Sequence, residues 1–224
     1  MCCPEREEGG YMDNKEMNKN DETFRSLLRF LDTLSYVKPE QIPDISLYMD
    51  QVTSFMEEHL KKVKRYPDDK VLTKTMINNY AKAKILPAPD KKKYSKEHTY
   101  MLLFIYYYKG ILSLGDLNTV LKPLNESYFG AKEPALNIER IYKEVFHLEN
   151  AQMRILKDDL RQKYARAAET FAEDGSGKQL SEQEREQLQL FSFICELAFD
   201  VYLKRLLIEK LCDRIAEETP KKTK

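Results

Sequence analysis

The chain is poor in the residues that build tight turns, covalent bridges and membrane spans. Its 224 residues include seven glycines and no tryptophan, too few turn formers for a β-sandwich with its many hairpins. The four cysteines, Cys2, Cys3, Cys195 and Cys212, lack the paired spacings of a zinc site. They are also too few for a disulfide scaffold, so reduced thiols and a cytoplasmic setting are expected. Cys195 and Cys212 fall in an apolar helical pattern and read as small core residues. No apolar run reaches the ~18 residues that cross a bilayer, and the polar start MCCPEREEGG has no secretion-signal core. No membrane partner is expected. HExxH, P-loop and glycine-rich dinucleotide motifs are missing, and no nucleophile, base and acid group together. His59, His98 and His147 stand alone and read as surface or cap residues. A non-enzyme without cofactor or metal is expected.

Net charge is absent too, with 37 Lys/Arg against 37 Asp/Glu, but the average hides a gradient. Residues 1–60 hold 6 basic and 13 acidic side chains, and residues 61–100 hold 12 basic and 4 acidic ones. The remaining residues are nearly balanced, at 19 and 20. A local excess of this kind attracts polyanions, while acidic flanks limit unspecific adhesion.

Periodicity predicts a mainly α-helical chain. A polar tail (1–20) precedes an amphipathic helix from Asp21 carrying Phe24, Leu27, Leu28, Leu31 and Leu34. Pro39 and Pro43 interrupt the pattern. Asp44 opens a second helix with Leu47, Tyr48, Val52, Phe55, Met56 and Leu60 on one face, ending in Lys61-Lys62-Val63-Lys64-Arg65. Those terminal cations suit both a helix C-terminus and a phosphate neighbour. Thr73 caps a helix from Lys74 to about Lys84, and Pro87-Ala88-Pro89-Asp90 stops it. Lys91-Lys92-Lys93 form an exposed tip, and Ser95 caps an apolar helix to Lys109. Ser113 and Asp116 start a short helix through Leu121 that Pro123 closes. Two long helices follow, from Asn137 to Phe171 and, after the Ser181/Glu184 capping box, to Ile215. They read as an antiparallel hairpin with an apolar stripe too wide to bury alone.

The order helix, turn, helix, lysine tip, helix resembles the MerR-type regulators. Their signature runs roughly T-I-R-Y-Y-E-R-x-G-L-L-x-P, then a basic wing, Y-S-x-x-D, an apolar helix and S-L-x-x-I. Ile77-Asn78-Asn79-Tyr80 stands at I-R-Y-Y, Lys84-Ile85-Leu86-Pro87 at G-L-L-x, Tyr94-Ser95-Lys96-Glu97-His98 after the wing, and Ser113-Leu114-Gly115-Asp116-Leu117 at S-L-x-x-I. This resemblance covers about a quarter of the chain. Most of the chain resembles an uncharacterised bacterial family, the domain of unknown function numbered 1836, related to the MerR-like regulators. The departures are specific: the signature arginine is Asn78, the aromatic after it is Asn79, and lysines replace the wing's glycine and arginines.

The resemblance implies a winged helix-turn-helix with a C-terminal helical hairpin. The expected organisation is a disordered tail (1–20), the winged region with its preceding helix (21–124), and a helical dimerisation or effector region (125–224). Lys74, Thr75, Asn78 and Asn79 lie on the first two turns of the implied recognition helix, where side chains meet base edges. Asparagine can pair with adenine N6 and N7. Lys82, Lys91, Lys92, Lys93 and Lys64 would neutralise phosphates, giving affinity and salt dependence without sequence information. Tyr80 has two readings, a phosphate contact implied by the resemblance or a core residue on the apolar face. Tyr106-Tyr107-Tyr108 could stack bases, but inside an apolar helix they read as core. The expected partners are double-stranded DNA, a second copy of the chain and a small-molecule effector. Metal-sensing relatives place cysteines near the start of the dimerisation helix, and none lie between Cys3 and Cys195 here. The function expected is sequence-specific transcriptional regulation by a dimer. The competing reading is a helical adaptor that keeps the winged fold without binding DNA.

Overall fold

The protein is described here by a computed structural model covering residues 19–34, 36–131, 136–173 and 175–218. Of the tail expected at 1–20, residues 1–18, with Cys2 and Cys3, lie outside the described residues, while Lys19 and Asn20 open the first helix, where the Asn20 amide donates to the Glu186 carbonyl at 2.8 Å. The described chain is mainly helical, with seven α-helices and one two-stranded antiparallel sheet. These are α1 (Lys19–Thr33), β1 (Leu47–Tyr48), α2 (Met49–Leu60), α3 (Lys74–Lys82), β2 (Lys93–Tyr94), α4 (Lys96–Tyr108), α5 (Leu114–Tyr128), α6 (Ile138–Ala168) and α7 (Glu182–Glu218). Single 3-10 turns at Pro39–Gln41 and Lys61–Val63 flank β1 and α2. No described helix is long and apolar enough to cross a membrane.

The centre of the larger core is α4. Every residue from His98 to Ile105 is buried, so this helix is apolar all round because it is covered all round. Val52, Phe55, Met56 and Leu60 of α2, Ile77 and Tyr80 of α3, Leu117 and Leu121 of α5, and Ile138 and Tyr142 of α6 close on it. Each such fully buried aliphatic side chain contributes about 1.5–3 kcal/mol relative to exposure. A second, smaller core joins Phe24 of α1, Ala167 of α6 and Phe193 of α7. There Phe24 stacks on Tyr164 with ring centroids 4.2 Å apart, and Phe193 meets both rings edge-on. Helix α1 therefore packs on the C-terminal hairpin.

Further expectations change. Leu47–Tyr48, expected inside a helix from Asp44, form a strand because they pair with Lys93–Tyr94. Strand alternation then buries Leu47 and exposes Tyr48. Helix α5 does not stop at Pro123 but continues to Tyr128. Proline removes an N–H and crowds the carbonyl one turn back, yet Leu117 and Leu121 before it and Leu124 and Tyr128 after it all pack on the core. The face of α7 against the rest of the chain carries Phe193, Leu197 and Cys212, while Cys195, expected in the core, is exposed together with Phe191, Ile194, Val201, Leu206 and Leu211 of the apolar stripe. On α6, Leu148 and Ile155 are exposed as well.

The end of α3 shows how local chemistry sets the next segment. Ile85 N–H donates to the Tyr80 carbonyl at 3.0 Å and Lys84 N–H to the Ala81 carbonyl at 3.1 Å, the paired bonds of a Schellman stop. That stop requires a left-handed residue, and Lys84 takes it with φ 59°, where the resembling signature carries glycine. Between α6 and α7, a Cβ on Gly177 would lie 1.9 Å from the Phe171 carbonyl oxygen, so glycine alone fits that turn.

Lys84→Gly relieves left-handed strain of ~1–2 kcal/mol and loses part of it to glycine's unfolded-state entropy. A net gain of about 0.5–1 kcal/mol is expected, raising the melting temperature by roughly 1–4 °C. Lys84→Ala, which keeps the strain, should melt with the wild type in circular dichroism. A lower melting temperature for the glycine variant would assign Lys84 a stabilising side-chain contact instead.

Candidate nucleic-acid interface

Helix α3 has two sharply different sides. Ile77 and Tyr80 are buried in the larger core, while Lys74, Thr75, Asn78, Asn79 and Lys82 are all exposed. At 100° per residue those five fall on one continuous arc of the helix. Thr73 caps its N-terminus, its hydroxyl accepting from Met76 N–H at 3.1 Å, so the positive end of the helix also lies at this arc.

Beside it stands the lysine hairpin. Lys93 N–H donates to the Asp90 carbonyl at 2.8 Å, closing a two-residue turn whose central residues are Lys91 at φ 46° and Lys92 at φ 65°. Positive φ at both positions is the pattern of a type I′ turn, which follows strand twist and normally selects Asn-Gly. Here lysines hold it, with Lys91, Lys92 and Lys93 all exposed.

The opening of α2 ties helix and hairpin to one edge. Lys93 Nζ lies 5.2 Å from the centroid of the Tyr48 ring, and Asp50 forms an ion pair with Lys74. Tyr48 and Asp50 are two residues apart, so the hairpin base and the start of α3 share this side of the fold. Periodicity places Tyr48 on a buried helix face and misses its place at this edge. Its exposure follows from the short strand, which only pairing with Lys93–Tyr94 creates.

The remaining sequence candidates fall elsewhere. Tyr80 is 8% exposed within the core, and burial raises its hydroxyl pKa above the ordinary value. It sits with Ile77 behind the arc. Lys64 points to Glu57 at 2.6 Å with little of its side chain exposed, so it holds the loop after α2 and does not face solvent. That bond, with Val71 N–H donating to the same carboxylate at 3.3 Å, keeps Glu57 below the usual carboxylate range. Tyr106, Tyr107 and Tyr108 pack against the core.

The hairpin is anchored from below by His98. Its Nδ1 accepts from Ser95 N–H at 3.0 Å, and the Ser95 hydroxyl lies 2.8 Å away, closing the first turn of α4. The ring packs edge-on against Tyr94 and Phe129. Nε2 faces the carbonyls of Pro87 and Ala88 without closing a hydrogen bond. Burial lowers the pKa below its ordinary 6.5, outweighing those carbonyls, which favour the charged form.

A protein-family model described as Domain of unknown function (DUF1836) matches residues 37–145. The match runs from the 3-10 turn before β1 into the first turns of α6, taking in α3 and the hairpin and leaving out α1 and α7. No curated protein and no solved structure matches the chain.

His98 supplies a pH test of the hairpin's support. A depressed folded pKa means the unfolded chain binds the proton more readily, so stability is lost as pH falls through about 6.5. Protonated Nδ1 also cannot accept from Ser95. His98→Gln keeps an acceptor without titrating, so wild type should lose several degrees of melting temperature relative to this variant between about pH 7 and 5. Parallel melting curves across that range would remove His98 as the sensitive group.

Proposed function

We propose that the protein is a sequence-specific DNA-binding regulator built on a MerR-like winged helix-turn-helix. In this reading α2 and α3 form the helix-turn-helix and the lysine hairpin is the wing. The observation that carries it is the exposed arc Lys74, Thr75, Asn78, Asn79 and Lys82 beside a lysine-tipped turn, both tied to the opening of α2. Helix α3 lies in the major groove, with Asn78 and Asn79 reading base edges and Lys82 and the wing lysines taking phosphates. Asp50 gives up Lys74 to a phosphate on binding, which makes that contact dependent on salt.

The regulator acts as a homodimer, its two recognition helices entering successive major grooves about 34 Å apart. The bare side of α7 supports this pairing. Phe191, Ile194, Phe199, Val201, Tyr202 and Leu206 form one exposed stripe on it, while its other side already holds α6 and α5. An adaptor without DNA affinity is the second reading. It is favoured by Asn78 in place of the signature arginine and by Asp50 holding Lys74.

Fluorescence anisotropy on labelled genomic fragments across a salt series separates the two. The regulator shows affinity that falls linearly with log salt. Removing three phosphate contacts with Lys91→Ala, Lys92→Ala and Lys93→Ala should weaken binding about 100-fold near 0.15 M salt and flatten the slope by roughly 2–3. Asn78→Ala should cost about 1–3 kcal/mol on the preferred site and little on random duplex. No salt-dependent duplex binding, or binding indifferent to the wing lysines, refutes the regulator.

Sedimentation velocity checks the dimer separately. Phe199→Glu with Val201→Glu should convert a two-chain species to a monomer without lowering the melting temperature of the α4 core. A wild-type chain that sediments as a monomer at tens of micromolar would overturn the pairing.

A further inference from the structure

Two hollows that the DNA reading does not use meet where the segment after α1 lies against the end of α2. The inner one, about 170 Å³, is walled by Leu34, Tyr36, Leu60, Val63, Tyr107 and Met153. Its two rings, Tyr36 and Tyr107, meet edge-on with centroids 4.8 Å apart. Val37 fixes that corner: its N–H donates to the Tyr107 hydroxyl at 3.4 Å, and its carbonyl accepts from the Tyr142 hydroxyl at 2.7 Å. An apolar space of about 150 Å³ takes a benzene ring, so the inner hollow suits a phenyl group or a short alkyl chain.

The outer hollow, about 250 Å³, shares Leu34, Tyr36 and Val63 with the inner one and opens past them to Gln41, Glu58, His59, Lys61 and Lys62. The two are therefore continuous, apolar at one end and polar at the other. Two lysines stand at the polar end against one carboxylate, Glu58. Lys64, three residues after Lys61, is taken up by Glu57 at 2.6 Å. Among the described residues Lys61 and Lys62 form no ion pair, and Lys62 Nζ reaches the Thr33 carbonyl at 3.5 Å. Gln41 Oε1 accepts from Lys38 N–H at 2.8 Å, which leaves the amide nitrogen as the donor still to be matched. At the other end, Glu149 stands one helical turn before Met153, and its charge reaches the hydroxyls of Tyr36 and Tyr107. The basic rim is thus the place for an anion and the inner end is not.

Small-molecule sites are mostly apolar clefts with a few polar groups that fix orientation. We propose that the joined hollows bind a small amphipathic carboxylate, an acid carrying a phenyl ring or a short alkyl chain. Its apolar part lies among Leu34, Leu60, Val63 and Met153 and against the two tyrosine rings. Its carboxylate meets Lys61, Lys62 and the Gln41 amide, in charge-assisted hydrogen bonds stronger than neutral ones. The walls come from α2 and α4, within residues 37–145, and from Leu34, Tyr36 and Met153 outside that span. An occupant would fasten the flanking helices to the matched region. Binding at the hollow does not depend on the chain binding DNA.

Titration calorimetry on the full chain at neutral pH tests this with 3-phenylpropionate and hexanoate, with their amides as uncharged counterparts and with inorganic phosphate as a bare anion. At least one carboxylate should bind with a Kd below about 1 mM, and about tenfold or more tighter than its amide and than phosphate. Lys61→Gln with Lys62→Gln should weaken that carboxylate by about tenfold or more. Val63→Glu, which puts a negative charge where the two hollows join, should abolish its binding. Both variants should melt with the wild type, since all three side chains are exposed. Failure of both carboxylates to bind, equal binding of acid and amide, phosphate binding as tightly as the carboxylates, or full affinity in either variant would each overturn the proposal.

Discussion

Everything else in this fold leans on the continuous burial of α4. Eight successive residues, His98 to Ile105, are out of water, which requires neighbours on every side of one helix. No amphipathic arrangement could cover them, so α2, α3, α5 and α6 each contribute one apolar face to the same pillar. The helix also begins at a fixed place, because the side chain of His98 closes the first turn at Ser95. That start sets where Tyr94 pairs with Leu47, and with it the base of the lysine hairpin.

Helix α6 links this core to the rest of the molecule. Ile138 and Tyr142 at its start belong to the α4 core, and Ala167 near its end belongs to the cluster with Phe24 and Phe193. Between them lies the stretch with Glu149 and Met153, where apolar packing thins and a hollow opens. Beyond that point the Phe24, Tyr164 and Phe193 cluster joins α6 to α1 and α7, and ion pairs flank it. Lys163 reaches Asp200 at 3.2 Å and Arg166 reaches Glu196 at 2.7 Å across the hairpin. Such partly exposed pairs add little stability individually, but they define which side of α7 turns inward.

The candidate interface is assembled from elements that are individually ordinary. Exposed lysines are usually only a solvated surface, and an asparagine on a helix has many reasons to be there. What distinguishes this set is placement: five polar residues on the outer arc of α3, a two-lysine turn held at positive φ, and Tyr48 with Asp50 connecting them. Backbone strain of that kind is retained where the surroundings over-determine it. Here Lys93 pairs with both Asp90 and Tyr48.

The sequence by itself determined the helices with strong signals. Thr73, Ser113, Asn137 and the Ser181/Glu184 pair mark starts that the structure keeps, because a capping hydroxyl, amide or carboxylate acts within one turn and needs no distant partner. The exposure of Asn78, Asn79 and the lysine tip was likewise legible, since polar and apolar positions alternate locally on α3. Tertiary structure decided what depends on a partner far along the chain. Leu47–Tyr48 become a strand only because Lys93–Tyr94 arrive beside them, and α5 outlasts Pro123 only because the core holds both of its halves. Lys64 is drawn inward by Glu57. The inner side of α7 was illegible for the same reason: apolar residues between Leu188 and Leu211 fall on several sides of that helix, and contacts with α1, α5 and α6 select the side that turns inward.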